Sequence, residues 1–153
     1  MDLMQLVYIS NSVFPTGAAY ATRMSSFSKL FAELGWKTHI IVDHTNDKAL
    51  LKDKCVSYEN VTFQALHTDF SLRTRLISPR LCLKALESFM AHNEVSLVVM
   101  NGCADRFELV ARFLKKRGVP LVLDVVEWYH YLGFRGGWMN PFYLQHIVSM
   151  TKR

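Results

Sequence analysis

Residues 6–42, LVYISNSVFPTGAAYATRMSSFSKLFAELGWKTHIIV, constrain the fold more than any other part of the chain. Leu6, Val7, Tyr8 and Ile9 form an apolar run with the length and β-rich content of a buried strand. A loop passes through Phe14, Pro15, Thr16 and Gly17, and Tyr20, Met24, Phe27, Leu30, Phe31 and Leu34 then recur at helical spacing. Gly35 is placed to stop that helix. A second apolar run, His39 to Val42, follows directly. Strand, short loop, helix, glycine and strand make a βαβ unit, whose crossover is right-handed. In such a unit the chemistry gathers at the carboxyl end of the strand, where the helix start presents unpaired N–H groups.

The rest of the chain repeats this alternation. Residues 61–66 read as a third strand, and residues 95–100 as a fourth, apolar enough to be covered on both faces. Residues 121–123 read as a fifth. Residues 43–60 read as a polar connection with a short helical piece near 47–54, and residues 67–78 as an exposed loop or short helix. Pro79 is expected in the first turn of a helix that carries Leu83, Leu86, Phe89 and Met90 on one face and ends near His92. Phe107, Val110, Ala111 and Leu114 mark another helix, which Gly118 stops. The expectation is a Rossmann-like α/β domain of three layers, with a mostly parallel sheet of about five or more strands and helices on both faces.

At 153 residues the chain is long enough for one domain with a real core. No apolar run approaches the ~20 residues a membrane span requires, and the first residues lack the pattern of a signal peptide. Cys55, Cys82 and Cys103 are scattered and form no Cys-x-x-Cys pair, which points to a reduced, cytoplasmic protein. The net charge of +5 suits an anionic partner. The densest basic run, Lys115-Lys116-Arg117, falls in the last turn of a helix, where cations offset the helix dipole, so nucleic acid is not expected.

Two stretches could carry chemistry. The loop Thr16-Gly17-Ala18-Ala19 lacks the three glycines of the dinucleotide fingerprint and the Gly-Lys-Ser/Thr of a phosphate loop. Its small residues still let a phosphate approach the backbone N–H groups. A tight turn without ligand fits the same residues, and Arg23 could reach an anion there or simply be solvated. The second stretch, residues 123–130, puts Asp124 and Glu127 at the end of what is read as a central strand, with His130 beside them. Such carboxylates hold sugar hydroxyls, orient a basic group or act as a general base, or else satisfy loop N–H groups and face solvent. The six histidines show no metal spacing, and no nucleophile elbow is present. From Trp128 to Tyr143 the chain is rich in aromatics broken by glycines, which suits core packing, a stacking surface for a sugar or lipid acceptor, or a membrane-interface wedge with Arg80, Lys84 and Arg135 nearby.

These residues together resemble a known family. Phe14-Pro15-x-Gly17-Ala18 with Arg23, then Leu30-x-x-x-Leu34-Gly35 and His39-x-Ile41, is similar to the opening of the N-terminal domain of GT-B fold glycosyltransferases of the retaining family 4 type. Residues 123–129 resemble the Asp-x-His-Glu-type segment of that family, with Val126 where a histidine is common and His130 as its substitute. The resemblance covers essentially the whole chain. It implies that Thr16, Gly17, Ala18 and Arg23 face the donor diphosphate, that Asp124, Glu127 and His130 are catalytic, and that Asn101, Trp128, Tyr129 and Arg135 line the acceptor side. It also implies transfer of a sugar from a nucleotide-sugar to a lipid-linked, glycan or small-molecule acceptor, as in polysaccharide biosynthesis, with no cofactor and no essential metal. The second, nucleotide-sugar-binding domain of the family has no counterpart in this sequence, and the chain reads as an N-terminal half, inactive alone, that needs a C-terminal domain or partner subunit. The basic balance and aromatic loop would suit peripheral contact with the inner face of a membrane. The competing expectations are a stand-alone Rossmann-like binding or regulatory module and a small nucleotide-binding enzyme of other chemistry.

Overall fold

The structure is a computed structural model that describes residues 4–16, 19–46, 56–58, 61–67, 71–102 and 106–125, with single positions at Met139, Pro141 and Leu144. Along the chain the elements are β1 (Gln5–Val13), α1 (Ala19–Glu33), β2 (Lys37–His44), β3 (Val56–Tyr58), β4 (Val61–His67), α2 (Leu72–Met90), β5 (Leu97–Asn101), α3 (Phe107–Arg117) and β6 (Leu121–Asp124). They build one sheet in the order β3-β4-β2-β1-β5-β6. Every neighbouring pair is parallel except β3–β4. This is a Rossmann-like α/β arrangement, as the alternation of apolar runs predicts.

Period-two alternation along the strands divides the core into two faces. Leu6, Tyr8, Ile40, Val42 and Val99 pack with Ala21 and Met24 of α1. Val7, Ile9, Ile41, Val98 and Met100 pack on the opposite face with Cys82, Ala85 and Leu86 of α2 and Val110 and Leu114 of α3. Parallel strands covered on both sides carry the near-continuous apolar runs seen in the sequence.

Four details depart from the sequence reading. In α1 the buried residues are Ala21, Met24 and Ser28, while Leu30, and Leu34 just past the helix end, are 55% and 71% exposed. Helical spacing marks a stripe but leaves its rotation open; small residues at 21 and 28 let the helix approach the sheet, and the Ser28 hydroxyl is satisfied by the Met24 carbonyl at 2.8 Å. Pro79 lies inside α2, not in its first turn, because Ser71 caps the helix earlier by accepting from the Thr74 amide. The short antiparallel strand β3 was expected as connection, since three residues give no readable alternation. β6 is an edge strand among the described residues, not a central one. The helical piece expected near 47–54 lies outside the described residues.

The end of α3 matches expectation: Gly118 adopts φ 68°, its amide returns to the Leu114 and Lys115 carbonyls, and Lys115, Lys116 and Arg117 occupy the last turn. Among the described residues no helix is long and apolar enough to cross a membrane.

The two faces differ measurably. Leu86, fully buried, should cost about 2–5 kcal/mol when replaced by alanine. Leu34→Ala should change stability by less than about 0.5 kcal/mol. Urea unfolding of both variants checks this, and equal losses would contradict the observed rotation of α1.

Candidate functional site

The order of the sheet reverses at β1. β1 runs into α1 on one face, whereas β5 is entered from α2 and left through α3 on the other. The carboxyl ends of β1 and β5 therefore flank the crevice where ligands bind in open α/β sheets. Residues that meet there include Ser10, which pairs in register with Asn101, itself in register with Asp124 on β6. Ser10 is fully buried, and its hydroxyl lies 2.8 Å from that of Ser12. Asn11 donates through Nδ2 to the Gly102 carbonyl. Gly102 adopts φ +63°, which calls for glycine, and a Cβ there would also meet Asn11 Oδ1 at 2.7 Å and displace that side chain.

Asp124, the last residue of β6, is the centre of this group. Arg23 from α1 grips it bidentately, Nε at 3.0 Å and Nη2 at 2.7 Å. The Tyr8 hydroxyl, rising from the middle of β1, donates to the same carboxylate. Asn101 Nδ2 donates to the Asp124 backbone carbonyl at 2.9 Å. Burial by itself would raise the pKa of this carboxyl. The hydrogen bonds from Arg23 and Tyr8, the charge of Arg23 and the neighbouring Asn101 outweigh burial and hold it below its ordinary 3.8. The same bond to Asp124 raises Arg23, and burial followed by the Asp124 contact pushes the Tyr8 phenol up, so it stays protonated as a donor. Arg23 also lies over the Phe27 ring at 4.9 Å. The side chain of Asp124 is 12% exposed and that of Arg23 40%. The result is an acceptor held ionised near neutral pH, aimed by three partners, beside a half-exposed guanidinium.

A second ion pair supports the crevice from the opposite face. Asp43, one residue before the end of β2, takes both guanidinium nitrogens of Arg106, with Nη2 to Oδ2 at 2.8 Å. Arg106 immediately precedes α3 and is 2% exposed. The pair ties the end of β2 to the start of α3. On the α1 face, the buried rings of His44 and His67 stand 6.1 Å apart at the ends of adjacent strands.

The structure thus brings Arg23, Asn101 and Asp124 together, where the family resemblance implies separate phosphate, acceptor and catalytic roles. Arg23 is bound to Asp124 while its side chain stays 40% exposed. Thr16 is exposed in the loop after β1. Gly17, Ala18, Glu127, Trp128, Tyr129, His130 and Arg135 lie outside the described residues. Sequence reasoning missed Tyr8, which is indistinguishable from core in an apolar run, and the Asp43–Arg106 pair. Asp43 did carry the signal used for Asp124, a carboxylate directly after an apolar strand; Arg106 carried none. Among the described residues no group of three or more His, Cys, Asp or Glu side chains is placed to hold a metal ion.

No protein-family model matches the chain, and no curated protein matches it. Among solved structures it is similar to the C-terminal domain of a hydrogenase from Pyrococcus furiosus. One structure, of residues 78–226 of that protein, has 15% identity and a TM-score of 0.56, over 81% of this chain and 92% of the other. A second, of residues 83–215, has 13% identity and a TM-score of 0.56 over 80% and 92%. At such identities the likeness shows the fold alone.

Because the folded carboxyl of Asp124 titrates below its ordinary value, it contributes stability that is complete above about pH 4 and is lost as pH falls through the folded value. The half-exposed Arg23 makes that contribution modest. Arg23→Met should move the Asp124 titration upward, and Tyr8→Phe should move it upward by less. Carbon-detected NMR of the carboxyl reads both; an unmoved midpoint in Arg23→Met would contradict the ion pair.

Proposed function

We propose that this chain is the acceptor-side half of a GT-B-type glycosyltransferase, which moves a sugar from a nucleotide-sugar to a lipid-linked, glycan or small-molecule acceptor. The observation that carries the reading is the Arg23–Asp124 pair at the carboxyl edge of the sheet. It joins the helix after the Thr16-Gly17-Ala18 loop to the start of the acidic segment, the two stretches on which the family resemblance rests. An ionised carboxylate with a small accessible face suits an acceptor hydroxyl. Arg23 would face the donor diphosphate, and its guanidinium geometry suits phosphate contact. Glu127 and His130 follow Asp124 closely enough in sequence to share its site, with Asn101, Trp128, Tyr129 and Arg135 toward the acceptor.

On this reading the nucleotide-sugar is a substrate, no cofactor or essential metal takes part, and a second domain or subunit of roughly 150–200 residues supplies the nucleotide site. Peripheral contact with the inner face of a membrane would bring the enzyme to a lipid-linked acceptor. A second reading, a stand-alone Rossmann-like binding or regulatory module, is favoured by one fact: Arg23 and Asp124 already satisfy each other, which a purely structural pair would also do.

The mass of the native polypeptide tests the two. A species much heavier than 17.7 kDa, or a tight partner subunit, is expected for the transferase half. In that completed enzyme, Asp124→Asn should lower kcat/KM by about 10²–10⁴ with folding intact, and Gly17→Trp should abolish transfer. Full activity in Asp124→Asn would remove the catalytic assignment. A lone 17.7 kDa species without transferase activity would favour the module.

A further inference from the structure

A cleft of about 670 Å³ opens at the amino-terminal edge of the sheet, opposite the site described above, between the starts of β2 and β4 and the last turns of α2. Its volume lies in the range of small-molecule sites. His39, Thr62 and Gln64 line it from the sheet. They occupy positions facing α2 where Ile41 and Leu66, two residues further along each strand, supply apolar core. Polar side chains under a packed helix are costly unless they find partners. His39, 1% exposed, lies parallel to Phe89 at 4.0 Å between ring centroids. Its Nδ1 bonds Thr62 Oγ1 at 2.9 Å, and burial pushes its imidazole down to about 4, so the ring is neutral near pH 7. Ser88 and Asn93 close the opposite wall, with Asn93 Nδ2 held on the Phe89 carbonyl at 2.9 Å.

The charge of a fitting ligand follows from the walls. The cleft sits at the carboxyl end of α2, where the helix dipole disfavours an anion. Among the described residues no carboxylate lines it, and Lys37 stands at its rim, which disfavours a cation. What remains is a neutral molecule. The hydroxyls of Thr62 and Ser88 and the amide of Gln64 each both donate and accept, so they match a ligand that does the same at several points. Phe89 and Ala85 add an apolar surface of the kind that packs against the C–H face of a sugar ring.

We propose that this cleft is a binding site for an uncharged, polyhydroxylated molecule of mono- to disaccharide size, separate from the carboxyl-edge site. It stands independently of the transferase reading, since it uses none of the same residues.

Protein-observed NMR with maltose as probe tests it. Saturable shifts of the Asn93 side-chain amide and the His39 and His92 ring protons are expected in the millimolar range. Glucose 6-phosphate should bind more weakly than glucose. Ser88→Trp, placed on the exposed wall, should weaken maltose binding at least about tenfold, and Thr62→Val, a second variant of near-native volume, should weaken it as well. Absence of saturable shifts, or unchanged affinity in a folded variant, overturns the proposal. Shifts confined to Asn101 and Asp124 would overturn it too, while leaving the transferase reading standing.

Discussion

The structure depends on β1 being paired on both edges and covered on both faces. Leu6, Val7, Tyr8 and Ile9 are all essentially buried, and their alternating side chains enter both cores. A strand in that position cannot slip by one residue without exchanging its two faces, so its register organises the neighbours. Ser10, Val42 and Asn101 then fall side by side at one edge of the sheet. The position of the candidate site is a consequence of that register and of the reversal of strand order at β1.

Charge at the carboxyl edge obeys one rule. Asp43 and Asp124 each lie at or next to the end of an apolar strand, where an unpaired carboxylate would lose its hydration, and each receives an arginine. The two pairs differ in burial, and that difference separates their roles. Asp43–Arg106 is sealed, with side chains 8% and 2% exposed, and works as a tie between strand and helix. Arg23–Asp124 is open on the arginine side, which leaves the guanidinium partly in solvent. Tyr8 belongs to both systems, since its ring is core and its hydroxyl is part of the site.

The opposite edge of the sheet has a different chemistry. His39, Thr62 and Gln64 interrupt the apolar layer beneath α2 with neutral hydrogen-bonding groups. One edge thus concentrates ionised groups and the other neutral hydrogen-bonding groups, with the shared apolar core between them.

The apolar runs, the glycines at 35 and 118 and the helical spacings in this sequence determined the α/β class and the sequence of strands and helices, because each is a local signal read over a few residues. The carboxylate after the fifth run was equally legible. Four things were decided only in three dimensions. The rotation of α1 was set by how closely Ala21 and Ser28 approach the sheet, not by the larger side chains beside them. The early start of α2 rested on the Ser71 cap, against the local preference of Pro79. The edge position of β6 came from strand order, which no single segment encodes. The union of Tyr8, Arg23, Asn101 and Asp124, up to 116 positions apart in the chain, required the register of three parallel strands and the placement of one helix above them. Local pattern specifies elements, and only packing brings distant polar groups within hydrogen-bonding reach.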